Sequence, residues 1–235
     1  MTVLLQAKTF ARSLRRSLGI SPIQRVLKEL RAEGIDISSM RSLEVFGYQG
    51  NMHTKDYAGD VASLEVWEIN PRHEHALRAN LPRAHVKITD SYMEIKSSHD
   101  KFGMVVIDNS PVHPPYIEHF DLFPYVLDLA GDQIIMIINV IPEISRDVAR
   151  MYPEMLKDEV LERRKMFYGV ESSHRIPLDR IVARYRSILQ ERGFSLERYF
   201  TQRRNKIFQY LVLVAARMRS VGEESLNGLV GRGLL

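Results

Sequence analysis

Between Arg41 and Val140 short apolar runs alternate with amphipathic or turn-rich stretches. Ser42–Phe46, Ser63–Glu68, His85–Thr89, Met104–Asp108 and Gln133–Val140 have the length and apolar character of buried strands. Thr54–Ala62, Pro71–Asn80, Tyr92–Ser97 and Tyr116–Leu129 read as the helices between them, and Asn70-Pro71 supplies an N-cap followed by proline in the first turn. Short apolar strands separated by helices predict a parallel sheet with right-handed crossovers. Upstream, Ser21-Pro22 opens a helix whose Ile23, Val26, Leu27 and Leu30 share one face before Gly34 closes it. Downstream the order changes. Ser145–Tyr168 is a charged helical stretch broken at Pro153, and Asp179–Arg192 is a second amphipathic helix. Phe194–Gln202 and Ile207–Ala216 then form a hairpin across Arg203-Arg204-Asn205-Lys206. The predicted fold class is α/β: a doubly wound, mostly parallel seven-stranded sheet ending in an antiparallel C-terminal hairpin, with helices on both faces. Residues 1–40 would form a helical extension, 41–220 the α/β domain with a helical insertion at 145–178, and 221–235 a loosely ordered glycine-rich tail.

A chain of 235 residues that is 45% hydrophobic and 26% charged has ordinary globular composition, so the charge pattern adds more than the totals do. The net charge of +4 is uneven: Arg146–Arg219 is basic and the remainder acidic. Without an aromatic-basic motif beside it, this basic third reads as solvated helix faces rather than a nucleic-acid surface. Met1–Lys28 contains no acid. It reads as a helix that packs on the domain or touches lipid, with an organellar targeting segment as the lesser alternative. No apolar run reaches the roughly 20 residues that span a bilayer. The absence of cysteine removes disulfides, a thiolate nucleophile and cysteine-held metals, and fits a reducing, cytoplasmic setting. A homodimer is left open.

The candidate chemistry centres on Leu43–Glu68. Leu43-Glu44-Val45-Phe46 is followed by Gly47 and Gly50, a turn where backbone can approach a ligand. Glu68 closes the second apolar run. Ligands of open α/β sheets bind beyond the carboxyl ends of the strands, and a carboxylate there can accept from both hydroxyls of a ribose. A nucleoside-type cofactor is therefore expected. The chain has no G-x-G-x-x-G, which argues against a nicotinamide enzyme.

These motifs resemble, in order and spacing, the class I S-adenosylmethionine-dependent methyltransferases. Leu43–Gly50 looks like that family's first motif, although Phe46 and Tyr48 stand where glycines are common. The resemblance implies that the turn through Gly47 and Gly50 wraps the methionine part of the cofactor and that Glu44 holds its ammonium. It places Glu68 at the ribose, Asp90 at the adenine amino group, and Ser91 and Tyr92 beside the ring. Asp108 falls at the reaction mouth as a base or substrate ligand, with His113 and His119 as further proton acceptors. The metal-assisted branch carries a second acid where Ile138 stands next to Asn139, so no metal is expected. The implied activity is methyl transfer from S-adenosylmethionine to a small or sugar-like acceptor. Two alternatives stand beside it: a catalytically degenerate scaffold on the same fold, and a different nucleoside cofactor held by the same ribose grip. Several residues also have plainer readings. Glu44 would be an acid with a buried partner, Asp90 a helix cap, and Asp108 a cap for the following loop.

Overall fold

The computed structural model describes residue 11 and residues 13–113 and 116–218. The start of the basic N-terminal segment and the expected tail lie outside these residues, as does the side chain of His113.

Seven strands form one sheet: β1 (Arg41–Glu44), β2 (Ser63–Glu68), β3 (His85–Ile88), β4 (Phe102–Ile107), β5 (Ala130–Val140), β6 (Phe194–Arg203) and β7 (Gln209–Arg217). Their spatial order is β3-β2-β1-β4-β5-β7-β6. The first five are parallel, and β7 runs antiparallel between β5 and β6. The expected fold class is thus the observed one. The chain steps outward from β1 to β3, then returns to place β4 on the other side of β1. This reversal opens a crevice above the tips of β1 and β4, where α/β proteins seat ligands.

Parallel strands buried on both faces should be apolar on both, and they are. Leu43, Val105, Ile107, Met136 and Ile138 pack on one side with α6 (Leu178–Glu191) and α3 (Ser91–Ser97). Val66, Met104, Val106, Ile135 and Ile137 pack on the other with α1 (Pro22–Ala32) and α2 (Glu74–Asn80). α1 begins where the sequence places it: Pro22 takes the first turn and the Gln24 side chain accepts from the Ser21 N–H at 3.1 Å. Its Ile23, Val26, Leu27 and Leu30 are buried, each contributing roughly 1.5–3 kcal/mol relative to exposure.

Two expected helices take other forms. Thr54–Ala62 is a single 3-10 turn, Thr54–Asp56, followed by irregular chain. Its bonds run to other elements instead: Tyr57 is buried and donates to Glu44, and Arg16 pairs with Asp56. Tyr116–Leu129 starts as a two-strand ribbon, Val112–His113 with Tyr116–Ile117, and only Phe123–Leu129 is helical. Glu118 breaks the helix between them with a left-handed backbone (φ 48°). Its buried carboxylate meets the fully buried Arg164 of α5 (Asp158–Tyr168). Tertiary pairing has overridden local propensity there. The helical insertion, beginning with α4 (Arg146–Met151), thereby rests on the loop after β4.

Candidate functional site

A cleft of about 780 Å³ opens above the strand tips. Its walls come from the turn after β1, the end of β2, the start of α3, the loop after β4, the end of α4 and the β6–β7 hairpin. Phe46, Gly47, Tyr48, Glu68, Asp90, Ser91, Tyr92 and Asp108 all line it, so most of the expected site residues converge. Glu44 and Gly50 do not line it.

The turn after β1 is built for closeness. A Cβ on Gly47 would lie 2.4 Å from Val66 Cγ1, and the Gly47 N–H donates to Trp67 O at 2.8 Å. Gly50 has φ +67°, and a Cβ there would press into Leu77 and Leu81. Gly50 therefore seats the turn on α2 rather than facing the cleft. Tyr48 keeps the left-handed backbone (φ 48°) that glycine would adopt freely. That geometry aims its N–H at Glu68 Oε2, 2.6 Å away. Glu68 Oε1 accepts from Asn70 N at 2.8 Å and lies 3.3 Å from His73 Nδ1. A carboxylate has about four acceptor positions. Among the described residues Oε2 keeps one of its own open, and Oε1 gains another if His73 turns aside. Glu68 is buried yet faces the cleft, which suits it to hold a diol.

Beside Glu68, Asp90 caps α3 by accepting from Tyr92 N at 2.9 Å through Oδ1. Its Oδ2 has no hydrogen bond among the described residues. The Ser91 hydroxyl is spent on Val45 O, so Ser91 ties α3 to β1. Tyr92 stacks on Tyr116 with centroids 3.5 Å apart and planes 3° from parallel, and Phe46 lies 6.0 Å from Tyr92. The Tyr92 hydroxyl donates to Glu118 O at 2.8 Å. Phe46, Tyr92 and Tyr116 thus give the cleft an aromatic wall.

The floor beneath β1 and β4 is a buried ionic network. Glu44 is 0% exposed. His53 Nε2 lies 3.1 Å from both of its oxygens, and Tyr57 OH donates to Oε2 at 2.9 Å. On its other edge, His53 Nδ1 lies 2.8 Å from Asp108 Oδ2. Asp108 also accepts from Arg204 Nε at 2.7 Å, Tyr210 OH at 2.8 Å and Asn139 Nδ2 at 3.1 Å. Burial alone would push the His53 imidazole down, but the Asp108 and Glu44 carboxylates outweigh it and hold it up at about 10. Burial likewise raises Glu44. Burial would raise Asp108 too, yet His53 and Arg204 hold it down at about 2. Asp108 is therefore a charged acceptor crowded on Oδ2, while Oδ1 accepts only from Asn139 among the described residues. Tyr57, Arg204 and Tyr210 were not legible as site residues. The one available signal was that an acid embedded in an apolar strand requires a buried partner.

His119 lies elsewhere, buried in the core with its Nε2 bonded to the Tyr185 hydroxyl. Burial pushes its imidazole from 6.5 to about 3. A depressed histidine stabilises the fold above its unfolded value and loses that contribution as protons bind the unfolded chain. Stability should thus fall as pH drops from 6.5 toward 3, and denaturant titrations of His119→Gln should show a flatter profile across that range.

Among the described residues no helix is long and apolar enough to cross a membrane. No family model matches the sequence. No curated protein matches it either. Solved structures match in shape. TYW2 of M. jannaschii, in complex with AdoMet, aligns at 12% identity with a TM-score of 0.51, covering 82% of this chain and 76% of that one. Magnesium protoporphyrin IX methyltransferase of Synechocystis PCC 6803 with bound SAM aligns at 13% identity and TM-score 0.52, covering 83% of this chain and 77% of that one. Its SAH complex aligns at 14% identity and TM-score 0.51, covering 89% and 99%. The chain has the fold of the class I methyltransferases.

Proposed function

We propose that this protein binds S-adenosylmethionine by its adenosine half and transfers the methyl group to a small-molecule acceptor. The observation that carries this reading is Glu68, a buried carboxylate at the tip of β2 with an acceptor position facing the cleft. The matched structures solved with AdoMet, SAM and SAH support it. The cofactor supplies an electrophilic sulfonium methyl when bound. The chain's residues then have distinct tasks. Glu68 would accept from the ribose, Asp90 Oδ2 from the adenine amino group, and Tyr92, Tyr116 and Phe46 would exclude water from the base. The remaining wall, with Met151, Tyr152, Ile207 and Phe208, is mostly apolar and would position the acceptor by contact.

Asp108 accepts from Arg204, Tyr210 and Asn139, pairs with His53 and is kept near 2, so it orders the floor and takes no proton from the acceptor. That occupancy favours a second reading, a degenerate binding protein on the same fold. Calorimetric titration separates the cases. Wild-type protein is expected to bind S-adenosylhomocysteine, and Glu68→Ala to weaken binding roughly 10- to 100-fold, the worth of one hydrogen bond to a charged acceptor. Binding without turnover on any acceptor supports the scaffold. No binding removes the methyltransferase reading and leaves the scaffold.

A further inference from the structure

Glu44 stands where an ammonium-binding acid is expected, yet it has no path to the cleft. Both oxygens face His53 Nε2 at 3.1 Å, and the Tyr57 hydroxyl takes another position at 2.9 Å. His53 lines the cleft and Glu44 does not. The imidazole is thus interposed between the carboxylate and any ligand. It is also fixed from behind, because its Nδ1 meets Asp108 at 2.8 Å. Asp108 in turn is anchored by Arg204, Tyr210 and Asn139. A rotation of His53 toward solvent would strip one cationic partner from two buried carboxylates at once. The cations His53, Arg204 and Lys206 are what this end of the cleft presents, with Glu44 sealed beneath them.

We propose that His53 permanently fills the cation seat of Glu44, so that the cleft recognises adenosyl compounds by their nucleoside and makes no ion pair with an α-amino group. His53 is then a specificity-determining residue: it admits 5′-substituted adenosines whose side chain lacks the ammonium on equal terms with those that carry it. This rests on the adenosine-binding reading above, but it concerns the other end of the ligand.

The test compares S-adenosylhomocysteine with 5′-(3-carboxypropylthio)adenosine, which differs only by loss of the amino group. The two are expected to bind the wild-type protein with dissociation constants less than about 10-fold apart, since no charge-assisted hydrogen bond distinguishes them. A preference for S-adenosylhomocysteine of about 10-fold or more overturns the inference while leaving the adenosine-binding reading intact. Failure of both compounds to bind overturns that reading and this inference with it. In His53→Ala, checked for folding by circular dichroism, the preference is expected to move toward S-adenosylhomocysteine as Glu44 becomes reachable. An unchanged ratio in the folded variant also overturns the assignment of His53. Should the variant not fold, the wild-type comparison decides alone.

Discussion

Arg164→Met is expected to lower folding stability by about 3–5 kcal/mol, the usual cost of leaving one member of a buried ion pair unpartnered. Arg164 is 0% exposed and bonds three separate segments. Its guanidinium pairs with Glu118, donates to Ile141 O at 2.6 Å through Nη2, and donates to Ser173 O at 3.3 Å through Nε. Without it, the Glu118 carboxylate stays buried on a left-handed backbone with no other cation paired to it among the described residues. The double variant Arg164→Met with Glu118→Gln should recover a large part of the loss, because no buried charge remains. Equilibrium unfolding in urea measures both. The effect reaches the cleft as well, since Glu118 O anchors the Tyr92 hydroxyl and Tyr92 carries the aromatic wall.

His53→Ala is expected to cost a similar amount, again about 3–5 kcal/mol, by leaving Glu44 and Asp108 as two buried carboxylates without the cation between them. Its pH dependence is the more specific signature. The imidazole is faced by Glu44 and Asp108, and Arg204, Tyr57 and Tyr210 complete the ring of partners. A histidine raised from 6.5 to about 10 contributes fully below 6.5 and loses that contribution as pH rises through 10. Asp108, lowered from 3.8 to about 2, contributes fully above 3.8 and loses it as pH falls through 2. Wild-type stability should therefore decline along an alkaline limb between pH 6.5 and 10, and that limb should vanish in His53→Ala. The variant should also recover relative to wild type as acid protonates Glu44, whose carboxyl burial already raises.

The sheet was legible because its strands obey one rule: a parallel strand buried on both faces must be a short apolar run. Leu43–Phe46, Ser63–Glu68 and Ile134–Val140 follow it, and the period of α1 and α6 is equally plain. That Glu68 and Asp90 line the cleft was legible for a topological reason, as acids at the carboxyl ends of strands. Two things were not. Tyr57 and Glu118 interrupt expected helices because each is claimed by a partner far away in the chain, Glu44 and Arg164, and local pattern carries no trace of that claim. The role of Glu44 depended on the same long-range information. The sequence allowed an ammonium contact or a buried partner, and the structure shows a buried partner, His53, which approaches from beyond the glycine turn. Arg204 reads as a hairpin turn residue until the β6–β7 hairpin is placed beside β4 and its Nε is found 2.7 Å from Asp108.

A crystal structure grown with S-adenosylhomocysteine tests the central claim most directly. The expected result is a nucleoside across the tips of β1, β2 and β3, its ribose hydroxyls within about 3 Å of the Glu68 oxygens and its adenine against Tyr92 beside Asp90. A cleft without nucleoside at saturating ligand, or a nucleoside bound away from Glu68, would contradict it.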